Sequence, residues 1–246
     1  MRKWRIKTDT SNKPVIVFES ALDSSKPVTL NLVKKVEGAE ITKIIETPAY
    51  FDFCIDKNNV YHLAFIKAAN TNRTDVNSVF YCSSIDAGKS FSQSLLVHQS
   101  GPNAAYDVKM LIDEVNNIHL VYQKSFGKSK PKVIFHAYSQ DGMKWVKQSV
   151  IEVDTSANIS NITFLKGNNG KLILSWQELN INLKIQVSSF FSEWNGKEWS
   201  KKTLIMENML NPAFVTDGNN LQIVFWDKTG LDKRPYPLTY VKMLIH

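Results

Sequence analysis

Five carboxylates stand where they could do chemistry: Glu19, Asp52, Asp107, Glu178 and Asp227, all at or near the ends of strand-like segments. Two such groups on either side of a glycosidic bond can act as acid and base in its hydrolysis. Glu19 and Asp227 directly follow members of a recurrent aromatic series, Phe18, Phe65, Tyr122, Trp176 and Trp226. Rings at one strand end can stack on sugars, and Tyr122, Trp176 and Trp226 are the candidates, with Gln177, Glu178 and Asp227 supplying hydrogen bonds. Arg73 and Arg234 lie in loops on the same side and add charged contacts. The competing reading is that the series fills the core and the acids are solvated, because no flanking signature marks them as catalytic.

The remaining reactive side chains point away from metal or thiol chemistry. His62 and His119 share one repeat position, where other units carry Val15, Ile173 and Ile223, and read as neutral core imidazoles. His98 and His136 stand alone, and no Cys/His/Asp cluster has metal-ligand spacing, so neither metal nor cofactor is expected. Cys54 and Cys82 fall on the first and third strands of one unit, roughly 9–10 Å apart, too far for a disulfide. Both read as buried thiols.

These groups need a scaffold, and the aromatics recur at intervals of about fifty residues, within the range of propeller repeats. The endings PVIVFES, YHLAFIK, HLVYQKS, LILSWQE and QIVFWDK mark the second strand of each unit. Continuous apolar second strands predict sheets covered on both faces. No helical period is present. First strands are expected near residues 4–9, 51–56, 108–113 and 162–166, and the unit that starts at NPAFVTD ends at His246 before a fourth strand forms. The expectation is one all-β domain, a five-bladed propeller with blades near 1–47, 48–104, 105–158, 159–209 and 210–246, the last lacking its outer strand.

Between the third and fourth strands three polar stretches correspond. They are Ser84-Ile-Asp86-Ala-Gly88-Lys-Ser-Phe91, Ser139-Gln-Asp141-Gly142-Met-Lys-Trp145 and Ser192-Glu-Trp-Asn195-Gly196-Lys-Glu-Trp199. The chain here resembles the Asp-box (BNR) repeats of sialidase-like β-propellers, with Asn195 in place of the acid. The equivalent stretch of the first unit is degenerate, and the fifth has lost it. Asx side chains can accept the N–H groups of their own turn, Gly supplies the unusual backbone angle, and the aromatic covers the hairpin. These residues are therefore structural, and the resemblance implies that they lie opposite the functional face. The family's Arg-Ile-Pro motif is missing, since Arg5-Ile6 is followed by Lys7, so the carboxylate clamp of a sialidase is not expected.

Composition bounds the partners. A net charge of +7 is spread along the chain, almost all of it from Lys, and reads as solubility and not as a specific nucleic-acid site. No apolar run is long enough to insert in a membrane, and no secretion signal or compartment can be read at the start, MRKWRIKTDT. The functional expectation is a non-catalytic recognition or scaffold propeller that binds carbohydrate or a glycan-bearing surface through its loop face. The alternatives are a propeller-type glycoside hydrolase and a platform for a protein ligand. The outer edge of the fifth blade invites pairing with a second copy or with a longer chain.

Overall fold

In a computed structural model of the chain, the structure describes residues 3–21, 27–34, 40–46, 48–68, 77–99, 105–126, 131–153, 155–167, 170–180, 186–217, 220–228 and 236–244. Among them there are strands and no α-helix, so no helix is long and apolar enough to cross a membrane. The strands form five consecutive antiparallel sheets. Sheet 1 holds β1 (Trp4–Thr8), β2 (Pro14–Ser20), β3 (Thr29–Val33) and β4 (Ile41–Glu46). Sheet 2 holds β5 (Pro48–Ile55), β6 (Tyr61–Ala68), β7 (Asn77–Ser84) and β8 (Leu95–His98). Sheet 3 holds β9 (Ala105–Ile112), β10 (Ile118–Ser125), β11 (Lys132–Ser139) and β12 (Val146–Val153). Sheet 4 holds β13 (Ala157–Lys166), β14 (Leu172–Asn180), β15 (Gln186–Trp194) and β16 (Thr203–Glu207). Sheet 5 has three strands, β17 (Met209–Asp217), β18 (Asn220–Asp227) and β19 (Leu238–Leu244).

The chain divides into two compact units, residues 1–126 with 135–148, and residues 127–134 with 149–246. In the first, Val15, Val17, Leu32, Phe53, Tyr61 and Phe65 form a core between sheets 1 and 2. A second core, with Ala64, Ile66, Tyr81, Met110 and Tyr122, joins sheets 2 and 3. Residues 61–66 are buried on both pleat faces, which is why that run is apolar without alternation. Each fully buried large side chain contributes about 1.5–3 kcal/mol. In the second unit, Ile173, Phe191, Met209, Leu221, Ile223 and Phe225 form the core between sheets 4 and 5. Burial in β18 alternates, and its exposed face carries Val224 and Trp226.

Register corrects the aromatic series. β9, β13 and β17 each carry a bulge, lying between Tyr106 and Lys109, Ser160 and Thr163, and Leu210 and Ala213. The residues opposite are Tyr122, Trp176 and Phe225, not Trp226. A strand's side chains alternate faces, so the one-residue offset puts Trp226 on the other side of its sheet, 43% exposed. The partner of His62 and His119 in the fifth unit is correspondingly Gln222 and not Ile223.

The turns between first and second strands were not singled out in the sequence, yet they repeat closely. Asp9 Oδ1 accepts the N–H groups of Ser11 and Lys13, Asp56 Oδ1 those of Asn58 and Val60, and Asp113 Oδ1 those of Val115 and Asn117. Each turn closes through a left-handed Asn: Asn12, Asn59 and Asn116, with φ of 58°, 62° and 68°. Asn tolerates that region better than other side chains. Neighbouring turns are tied laterally, Asn116 Nδ2 donating to Asp56 Oδ2 at 3.2 Å and Lys57 Nζ to the Glu114 carbonyl at 3.1 Å.

The turns between third and fourth strands are likewise self-contained. Ser84 Oγ donates to Asp86 Oδ1 at 2.7 Å and accepts the Gly88 N–H, and Asp86 also accepts from the N–H and hydroxyl of Ser90. Those bonds, chiefly from Ser90, hold the Asp86 carboxyl well below the usual range. Asp141 accepts the N–H groups of Lys144 and Met143 and the Ser139 hydroxyl, which lowers it in the same way. Asn195 Oδ1 accepts from Lys197 and Glu198, while Ser192 donates to the Ser200 carbonyl. Gly88, Gly142 and Gly196 all have positive φ, but their surroundings differ. A Cβ on Gly142 would lie 2.6 Å from the Tyr81 ring, whereas one on Gly196 would meet nothing within 4 Å. Trp145 folds back, its indole N–H donating to the Gly142 carbonyl and its ring meeting Tyr81 edge-on at 5.3 Å. Phe91 packs against the core of sheets 1 and 2, and Trp199 against Trp194 at 5.7 Å.

His98 and His136 do not stand alone. His98 Nδ1 bonds the Tyr122 hydroxyl, and His136 is fully buried against His119. Cys54 and Cys82 are free and buried, each thiol pushed up to about 12 by burial.

Candidate functional site

A polar cluster that gathers three of the candidate acids, Glu19, Asp52 and Asp107, lies at the starts of the inner strands β1, β5 and β9, all in the first unit. These ends face the loops that connect successive sheets. Lys3 Nζ donates to the Ala49 carbonyl at 2.7 Å and sits 3.8 Å above the Tyr50 ring. Arg5 Nε donates to Asp52 Oδ1 at 3.0 Å, and Asp52 Oδ2 accepts the Met110 N–H at 2.9 Å. One carboxylate therefore ties all three strands. Tyr50 meets Tyr106 edge-on at 6.3 Å, and Lys109 Nζ donates to Asp107 Oδ1 at 2.8 Å. Burial, with the Asp107 charge behind it, raises the Tyr50 phenol, which keeps its O–H as a donor. Glu19 Oε2 accepts the Lys3 N–H at 3.0 Å at the rim.

This arrangement brings two tyrosine rings, three cations and three carboxylates to one set of strand ends. It can stack on a ring and bond its hydroxyl groups. Asp52 and Asp107 each pair with a cation, and Glu19 accepts from a backbone amide. A signal existed in the sequence: the dipeptides Ala49-Tyr50 and Ala105-Tyr106 open the first strands of successive units.

The second unit places the expected ligand residues differently. Trp176 is fully buried, so its ring presents no rim to a ligand, and its N–H donates to Glu178 Oε1 at 3.0 Å. Glu178 is further held by Lys202 Nζ at 2.9 Å. Gln177 is spent in a buried network: its Oε1 accepts from Asn161 Nδ2, and its Nε2 donates to Ser189 Oγ at 2.9 Å and the Met209 carbonyl at 2.6 Å. The pleat makes Trp176 and Gln177 point to opposite faces, and both faces of this segment are covered. Tyr122, in the first unit, is equally buried, its hydroxyl on His98. Trp226 remains exposed, and the Asp227 N–H donates to the Pro237 carbonyl. Arg73 and Arg234 lie outside the described residues.

No protein-family model matches the chain, and no curated protein sequence matches it. Solved structures do. An α-L-arabinanase of Penicillium chrysogenum, complexed with arabinobiose, is similar at a TM-score of 0.67 with 9% identity, over 92% of this chain and 74% of that one. An α-L-arabinofuranosidase of Fusarium graminearum, also with arabinobiose, gives 0.65 with 12% identity over 92% and 74%. A Hadza microbial sialidase gives 0.59 with 12% identity over 89% of this chain, which spans only 52% of its length. With the five sheets described above, these likenesses show the fold, a five-bladed, sialidase-like β-propeller whose fifth sheet has three strands among the described residues.

Proposed function

We propose that this propeller is directed to carbohydrate and engages a glycan at the loop-side ends of β1, β5 and β9. The observation that supports it is the pairing of Tyr50 and Tyr106 beside Asp107, Lys109 and Lys3, a mixture of ring faces and charged hydrogen-bonding groups suited to a polyhydroxylated ligand. Hydrolysis of that glycan is favoured over recognition alone by the structural neighbours, two of which are arabinan- or arabinofuranoside-directed enzymes holding arabinobiose. The Ser/Asx turns at Asp86, Asp141 and Asn195 are, on this reading, Asp-box repeats that stabilise the opposite end of the blades.

The test is an oligosaccharide array read for both capture and released sugar. Capture that is lost in Tyr50→Ala with Tyr106→Ala, at unchanged melting temperature, supports the site. Released sugar from the same glycans makes the protein a hydrolase. A chain that neither captures nor cleaves any glycan overturns the proposal.

A further inference from the structure

We infer that Asp107 is the carboxylate through which this site holds hydroxyl groups of a neutral glycan, whereas Asp52 serves it only by tying the strands together; the inference rests on the carbohydrate reading above. The two acids are neighbours on adjacent inner strands, but their surroundings divide the work. Asp52 has both oxygens engaged, by Arg5 Nε and by the Met110 N–H, and its side chain is 13% exposed. Both bonds go to groups of the protein's own strands, and little of the carboxylate faces solvent. The Asp107 side chain is 31% exposed, and among the described residues only its Oδ1 is engaged, by Lys109.

The backbone strengthens the distinction. Asp107 has a φ of 45° and sits in the β9 bulge, a device that re-aims a side chain. The same bulge recurs in β13 and β17, where the left-handed residue is Asn161, φ 49°, or Asn211, φ 47°. Asn161 uses its amide for packing, as the donor to Gln177 that helps tie β14 to β17. Asn fits this geometry as well as Asp does, so the backbone gives no reason for an acid in β9. What distinguishes β9 is its setting beside Tyr106, which is 37% exposed, and Tyr50. A carboxylate aimed there accepts from two sugar hydroxyls while a ring face rests on Tyr106, and Lys109 fixes its orientation.

The test compares Asp107→Asn with Asp52→Asn on an array of neutral and acidic oligosaccharides that includes arabinobiose, alongside thermal melts. Asp107→Asn keeps the left-handed turn and is expected to fold as the wild type while losing about tenfold or more in binding of neutral glycans, the loss of a charged hydrogen bond. Asp107→Gly, which also suits positive φ, gives the same result independently. Asp52→Asn is expected to lower the melting temperature and leave binding by the folded fraction within about twofold. Wild-type binding that both Asp107 variants retain overturns the assignment and leaves the carbohydrate reading standing. Binding of acidic glycans alone also overturns it, since the cations are then the contacts. A wild type that binds nothing takes down the reading and the assignment together.

Discussion

His119 Nδ1 lies 3.0 Å from His136 Nε2, and the two rings stack 5.2 Å apart. The protons on this pair follow from its ends. Asp113 Oδ2, 3.2 Å from His119 Nε2, takes a proton donor there, so His119 Nδ1 must accept from His136 Nε2–H. His136 Nδ1 is then left to accept from Gln148 Nε2 at 3.4 Å. Both rings are neutral, and the chain of bonds has one direction. Counting back from Ser84 and Ser139, His136 occupies the place of Tyr81, whose hydroxyl bonds His62 Nδ1 at 2.7 Å.

Acid should unfold this protein through its histidines. Burial lowers His62 and His119, and takes His98 to about 4 and His136 to about 3, all below the unfolded value near 6.5. The unfolded chain binds more protons in that window, so stability is full above about pH 6.5 and falls as pH drops towards 4. His62, His119 and His136 each contribute a slope of up to about 1.4 kcal/mol per pH unit, and the half-buried His98 contributes less because solvent screens it. Denaturant titrations at a series of pH values should show the fall. His136→Tyr, which copies the arrangement of sheet 2, should fold and make the fall shallower by the share of one histidine, with His62, His98 and His119 still contributing.

Glycines in corresponding turns should differ sharply in tolerance. Gly142→Ala brings a methyl group onto the Tyr81 ring and adds the positive-φ penalty, for a loss of about 2–4 kcal/mol. Gly196→Ala meets no neighbour and should cost only about 1–2 kcal/mol. Equal losses in a chemical melt would show that the turn of sheet 3 does not rest on Tyr81.

Asp141→Asn should be nearly neutral and Asp141→Ala destabilising. The amide oxygen of Asn195 already accepts two backbone N–H groups in the corresponding turn, as the Asp141 carboxylate does. Only the alanine leaves those donors without their acceptor. Melting temperatures of the two variants decide it, and glycan capture should be unaffected in both.

How far the sequence carries the fold and the site can be read from particular residues. The fifty-residue spacing and the Ser-x-Asp stretches were legible because they are local, and they locate the blades and their turns. Trp226 misled because the apolar run Ile223–Trp226 carries no mark of its register, and one residue reverses the face. Tyr50 and Tyr106 were written in the sequence, but their meeting depends on which ends of which strands adjoin. Arg5 and Asp52 are separated by a whole blade, and no local pattern announces such a pair.

Trp176 and Gln177 should behave as core residues. Trp176→Ala removes a fully buried ring and should cost about 3–5 kcal/mol. Gln177→Ala strands the Met209 carbonyl and the Ser189 hydroxyl, for about 1–3 kcal/mol. Glycan capture by the folded fraction should survive both, measured on protein purified below its melting temperature.

Asn12, Asn59 and Asn116 keep one backbone angle while the chain around them changes freely. Core volume can drift, because a neighbour that shrinks is offset by one that grows. A left-handed angle has no such partner, and only Asn, Asp or Gly holds it without strain. In sheet 4 the corresponding place is held by Gly170, with φ of 74°, so what the repeat keeps is the angle and not the asparagine. Its units are aligned more surely on that angle than on the aromatics that first draw the eye.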